Sequence, residues 1–254
     1  MPSALTMPRT VSAGAWLKIV LQISAMLLLL MICIPLHYLY RLLGLTNRWP
    51  RVFLGGVALI SGIAIKAEGR RASGPVFLIA NHVSWIDIPA ISWITGSAFV
   101  GHDGLAAMPL LKWLCQMNDT VFVARYDRAS VAEQARQVRH ALDDTHALTI
   151  FPEGTTSDGT ALLPFKSSLL SAFEPLPTGV AIQPVLLDYG AEAAHIAWVG
   201  EEHGLDNFLR ILARRESLVV RVKFLPPLTG AALGNRKTIA RAAREAIQRE
   251  LIGA

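Results

Sequence analysis

The chain has 254 residues, 52% of them apolar and only 17% charged, with a positive mean hydropathy of +0.41. That is richer in apolar and poorer in charged residues than an average soluble domain, and it points to a setting at a membrane. A net charge of +5 comes without any basic run interleaved with aromatic residues, which sets aside a nucleic-acid partner. Two cysteines, Cys33 and Cys115, make neither a disulfide framework nor a metal quartet and are consistent with a reducing compartment.

In chain order, Ile19 to Tyr40 holds no Asp, Glu, Lys or Arg. As a helix it would be roughly 33 Å long against a hydrocarbon core of about 30 Å. Gln22, Pro35 and His37 weaken a span and leave an interfacial placement open. A cleaved signal peptide is the competing reading, but His37-Tyr38-Leu39-Tyr40-Arg41 stands where small residues would mark cleavage, which favours retention. Val52 to Ile65 is too short for a second span and contains Gly55, Gly56 and Gly62, so it suits a re-entrant or interfacial helix. Arg41, Arg48, Arg51, Lys66, Arg70 and Arg71 flank these runs, as a collar drawn to anionic lipid would. The positive-inside tendency then places the chain at the inner membrane with its bulk facing the cytoplasm, and Trp16, Tyr38, Tyr40 and Trp49 are placed as interface anchors.

Past residue 75, short apolar runs predict strands at Val76–Ala80, Ser97–Gly101, Thr120–Ala124, Ala147–Phe151, Val180–Leu186 and Leu218–Phe224. Helical patterns fall around Asp87–Ile94, Leu105–Gln116, Ala129–Asp143, Ser167–Glu174, Gly204–Arg214 and Asn235–Leu251. This alternation is α/β: a mixed, mostly parallel sheet flanked by helices, behind an N-terminal membrane-anchoring helical segment. Asp143-Asp144-Thr145-His146 reads as the solvated end of a helix rather than a metal site, and no nucleotide-loop or zinc-helix motif is present. Neither a metal nor a cofactor is expected.

Two polar segments each follow a strand pattern: Asn81-His82-Val83-Ser84-Trp85-Ile86-Asp87 and Phe151-Pro152-Glu153-Gly154-Thr155-Thr156-Ser157. Open α/β sheets bind ligands at such strand ends. On one continuous helix His82 and Asp87 would lie about 140° apart, so they pair only if a loop carries the histidine and a helix starts near the aspartate. Ser84 as N-cap, Asp87 at the capping-box position and Pro89 in the first turn offer that arrangement. Asp87 would then fix one imidazole nitrogen and leave the other to accept a proton. Taken alone, the two residues are equally consistent with a helix cap beside an ordinary histidine.

These blocks, with Val121-Phe122-Val123-Ala124-Arg125 and Val180-Ala181-Ile182-Gln183-Pro184-Val185, together resemble the glycerolipid acyltransferases, most closely the bacterial 1-acylglycerol-3-phosphate acyltransferases. The resemblance spans about residues 75 to 190. Together with the apolar N-terminal runs it gives an expected membrane-associated helical region at 1–66 and a catalytic domain at 67–254. It also implies that His82 is the general base and Asp87 its orienting partner, acting on the free hydroxyl of a lysophospholipid, foremost 1-acylglycerol 3-phosphate. The acyl donor would be a thioester of acyl carrier protein or coenzyme A. By the same resemblance Arg125, Glu153, Gly154 and Thr155 bind the acceptor, and Lys166 is a further anion ligand. Read as residues only, Arg125 is equally a surface charge beside Asp127 and Arg128, Glu153 a carboxylate capping a turn, and Lys166 an exposed helix-start lysine.

Some positions depart from the pattern. Thr156 stands where the family often has arginine, Ser168 where glycine is common, and Gly101-His102-Asp103-Gly104 replaces a segment that usually carries Lys and Glu. Thr155 to Gly159 with Pro164-Phe165-Lys166-Ser167 also looks like enzymes that acylate lyso-ornithine lipid, the second reading. A non-catalytic lipid-binding protein is the alternative from another class, and the intact His82, Asp87, Glu153 and Gly154 argue against it.

Overall fold

The computed structural model describes residues 12–102, 109–123, 131–174 and 176–253. Helix α1, Ala13–Leu42, begins at the Ser12 side chain, which accepts from the Ala15 N–H, and α2, Trp49–Ile60, folds back along it. Among the described residues α1 alone is long and apolar enough to cross a membrane. Its outward face carries exposed Leu17, Leu21, Leu28, Met31 and Ile32. The polar residues that weakened the span reading turn inward instead: Gln22 Nε2 donates to the Ile60 carbonyl at 2.7 Å, and His37 Nδ1 meets Asn47 Nδ2 at 2.7 Å.

The run expected to be one helix from Val52 to Ile65 divides. Gly62, at φ +75, breaks the chain after α2, and residues from Ile63 enter strand β1, Ile63–Gly69. Glycine adopts that angle at no steric cost. The apolar residues of the helix end and of the strand start are continuous in sequence, which hid the boundary.

The remaining strands are β2 (Val76–Ala80), β3 (Ala98–His102), β4 (Val121–Val123), β5 (Ala147–Ile150), β6 (Ala181–Asp188) and β7 (Leu218–Phe224). They form one seven-stranded sheet in the order β1-β7-β6-β2-β5-β3-β4, parallel throughout except for the β6–β7 pair. Helices α3 (Asp87–Thr95), α4 (Pro109–Met117), α5 (Val131–Thr145), the short α6 (Ala193–Ile196), α7 (Gly204–Leu212) and α8 (Arg236–Ile252) complete the order. The helix expected over Ser167–Glu174 is a 3₁₀ helix, Ser167–Phe173.

Burial on both faces explains why β2 is uninterruptedly apolar. Val76, Leu78 and Ala80 enter one core with Ala90 and Ile91 of α3, while Phe77 and Ile79 enter the other with Val138 and Leu142 of α5 and Ile239 and Ala243 of α8. The alternation follows the two-residue period of a strand. Each fully buried Val, Leu, Ile or Phe among them contributes about 1.5–3 kcal/mol. Pro184 is tolerated inside β6 because its ring nitrogen lies toward β7, where pairing starts only at Val185–Phe224; its carbonyl on that side accepts the Leu225 N–H. Because β2 runs parallel to both β5 and β6, the chain leaves all three at the same sheet edge, where ligand sites of open α/β sheets form.

Candidate active site

The loop after β2 carries His82 and ends at Asp87, the first residue of α3. The expected cap is only half present. Asp87 Oδ2 accepts the Ser84 N–H at 3.0 Å, but the Ser84 hydroxyl turns to Asn207 Oδ1 of α7, and Ile86 occupies the N-cap without a side-chain bond. The carboxylate does the holding. Asp87 Oδ2 also accepts the Val83 N–H at 2.6 Å and lies 2.7 Å from His82 Nδ1, while Oδ1 accepts the Tyr189 hydroxyl.

With Nδ1 committed to Asp87, His82 keeps Nε2 for chemistry. Its ring stacks on Phe151, centroids 4.3 Å apart and planes 18° from parallel, and its side chain is 19% exposed. Asp87 is completely buried. Burial first, then the adjoining Asp87 charge, raises the Tyr189 phenol well above the ordinary tyrosine range, so it stays a neutral donor.

Glu153 is buried and spends both oxygens on backbone: Oε1 accepts the His82 N–H at 2.8 Å and Oε2 the Leu163 N–H at 2.9 Å. Burial raises its pKa, and the two backbone hydrogen bonds oppose that rise. The second face of the loop is closed by Ser157, whose N–H reaches the His82 carbonyl at 2.7 Å. Gly154 sits at φ +68 with Lys166 Nζ against it, 3.2 Å from where a Cβ would stand. Thr155 is exposed, and the Thr156 hydroxyl donates to the Trp198 carbonyl. His82, Asp87 and Glu153 are thus brought into direct contact, Gly154 and Lys166 lie together on the adjoining turn, and Arg125 lies outside the described residues.

His82 lines a cavity of about 710 Å³. His82, Asn118, Thr120, Thr155, Thr156 and Glu202 give its lining polar side chains, and an apolar share comes from Leu30 and Cys33 of α1, Phe53 and Leu54 of α2, and Leu111 and Leu114 of α4. Among the described residues that line it there is no Lys or Arg. Burial favours neutral Glu202, but hydrogen bonds from Arg210 and Asn207 outweigh it and hold this carboxyl below its usual value, so it faces the cavity already paired. Among the described residues no group of three or more His, Cys, Asp or Glu is arranged to hold a metal ion.

Sequence patterns gave no hint of Tyr189, Asn207 or the Trp198 turn, since each reaches the site from a distant segment. Asn81 had an available signal, its place at the end of β2. Its amide clamps Leu187 of β6 in both directions, accepting the N–H at 2.8 Å and donating to the carbonyl at 3.1 Å.

The Acyltransferase family matches residues 63–188, from β1 through β6 and across the whole His82–Asp87 loop. A lyso-ornithine lipid O-acyltransferase of Brucella abortus is 31% identical over 260 residues, covering 93% of this chain and 96% of that protein. A 1-acyl-sn-glycerol-3-phosphate acyltransferase of Neisseria meningitidis is 30% identical over 172 residues, 66% of each chain. The crystal structure of the 1-acyl-sn-glycerophosphate acyltransferase PlsC of Thermotoga maritima shares the fold, with a TM-score of 0.58, 22% identity, and coverage of 80% of this chain and 77% of that one. The chain belongs to the Acyltransferase family, as an O-acyltransferase of the lysophospholipid type.

Proposed function

We propose that the protein acylates the free hydroxyl of lyso-ornithine lipid, using His82 as general base and an acyl thioester as donor. The observation that carries this choice of acceptor is Thr156, which stands in the place of the family's frequent arginine and ties its hydroxyl to the Trp198 carbonyl. The full-length likeness to the Brucella protein supports the same reading. Phosphate recognition is normally built from Arg or Lys. 1-Acylglycerol 3-phosphate is the second reading, favoured by Lys166 Nζ against the Gly154 turn, with Arg125 as its other cation.

In the proposed reaction His82 Nε2 takes the proton of the acceptor hydroxyl as its oxygen attacks the thioester carbonyl. Asp87 stabilises the imidazolium through Nδ1–H. The tetrahedral adduct collapses, the C–S bond breaks, and the imidazolium returns its proton to the leaving sulfur. No enzyme nucleophile is required, because both substrates are held together and positioning lowers much of the barrier. Glu153 acts by fixing the backbone of His82, the Gly154–Thr155 turn meets the acceptor headgroup, and the apolar lining from α1, α2 and α4 takes acyl chain. Helix α1, with its exposed apolar face, attaches the enzyme to the membrane that holds its acceptor.

The test is an acceptor panel with purified enzyme in detergent: lyso-ornithine lipid and lysophosphatidate, each with acyl carrier protein and coenzyme A thioesters. The expected result is a higher kcat/KM for lyso-ornithine lipid. A preference for lysophosphatidate, lost selectively in Arg125→Ala or Lys166→Ala, would establish the second reading instead.

A further inference from the structure

Asp87 orients His82 only if its own carboxylate is held, and its two oxygens are held differently. Oδ2 takes His82 Nδ1–H and the N–H groups of Val83 and Ser84, all within the loop itself. Oδ1 takes one partner, the hydroxyl of Tyr189, which comes from 102 residues away. That residue follows the last residue of β6 and is 4% exposed. Its place is built rather than incidental. Asn81 locks the end of β2 to Leu187 of β6, two residues before the tyrosine, and Asp188, next to it, pairs with Lys223 of β7 at 3.3 Å and accepts the Gly190 N–H at 2.8 Å. The histidine loop and the tyrosine turn are therefore set in register by the sheet.

We infer that Tyr189 is a positioning residue for the acyl transfer, donating to Asp87 Oδ1 so that the buried carboxylate stays aimed at His82 Nδ1 with part of its charge taken up by the phenol. This inference rests on the general-base reading of His82. A carboxylate deprived of this donor keeps its charge less dispersed, so it grips the imidazolium more tightly and makes His82 slower to release its proton to the leaving sulfur. The lost oxygen contact also frees the carboxylate to rotate. Tyr189 touches neither substrate nor the reacting atoms; it acts through Asp87.

The test is a double-mutant cycle on the full chain, with Tyr189→Phe, Asp87→Asn and the double variant assayed for kcat and for the pH profile of kcat/KM. Tyr189→Phe alone is expected to lower kcat about 10- to 100-fold, the rate equivalent of one hydrogen bond to a charged group, and to move the acidic limb to higher pH. In the Asp87→Asn background the same change should cost less than about threefold, because the group it works through has gone. Equal losses in both backgrounds, or an unmoved acidic limb, would overturn the inference and leave Tyr189 a packing residue. Site-specific 3-fluorotyrosine at position 189 covers the case in which Tyr189→Phe does not fold: the stronger donor should move the acidic limb to lower pH, and an unmoved limb counts against the inference. If the His82 reading itself were wrong, Asp87→Asn would retain activity, an outcome separate from a collapsed Asp87→Asn beside an unaffected Tyr189→Phe.

Discussion

In the cavity lining His82 is held on every side: Asp87 at its ring, Glu153 at its N–H, Ser157 at its carbonyl and Phe151 beneath its face. In the apolar lining from α1, α2 and α4, Leu30, Phe53, Leu54, Leu111 and Leu114 have side chains that can form no hydrogen bond to fix their places. Hydrogen bonds in a buried setting specify position and leave a costly orphan when one partner is removed. Apolar contact specifies volume and yields to small changes in size. The held histidine should therefore fail sharply when altered, while the apolar lining should change its preference by degrees.

Among effects on stability, the largest is expected at Glu153. Glu153→Gln keeps the shape but sets an NH₂ against either the His82 or the Leu163 N–H, and should cost about 1.5–3 kcal/mol of stability together with a fall in kcat. Denaturant titration alongside an activity assay measures both. An unchanged midpoint would mean that the carboxylate's two backbone contacts contribute little.

A smaller effect concerns Tyr189 in alkali. In the folded protein the phenol ionises well above its ordinary value because of burial and Asp87, whereas in the unfolded chain it ionises near 10. Above that value the unfolded state binds fewer protons than the folded one, so stability must fall as pH rises. By pH 11 wild type should have lost about 1.4 kcal/mol more than Tyr189→Phe. Melting both proteins at pH 9 and 11 gives the comparison; parallel losses would place Tyr189 in contact with solvent.

The smallest effect belongs to the apolar lining. Leu114→Ala enlarges the wall and should raise kcat/KM for longer acyl thioesters relative to shorter ones, by about fourfold per methylene newly accommodated, at about 0.8 kcal/mol each. A series of thioesters of increasing length reads this directly. A ratio that does not move would take the acyl chain out of this part of the cavity.

The same contrast governs what could be read from the sequence. The pairing of His82 with Asp87 was legible because it is local, five residues in one loop between a strand and a helix. Strands β2, β5, β6 and β7 were legible from their apolar runs. β1 was not, since Ile63 continues the apolar run of α2 and only the angle at Gly62 separates them. Tyr189 follows Leu187-Asp188 and precedes Gly190, a stretch without any pattern, and its meeting with Asp87 depends on the register of β6 against β2. Ser84 was assigned a cap from spacing alone, but α7 brings Asn207 within reach of its hydroxyl and Asp87 supplies the cap's other half. Local sequence encodes the pairing of His82 with Asp87, and the sheet decides which residues hold that pair.

The central claim is that His82 removes the acceptor's proton, and the most direct measurement is the turnover of purified His82→Ala with lyso-ornithine lipid and a saturating acyl thioester. Circular dichroism and recovery with membranes should match wild type, since the side chain is only partly buried. The expected result is a fall in kcat of about 10²- to 10⁴-fold with the fold intact. Turnover within a few-fold of wild type in that folded protein would contradict it.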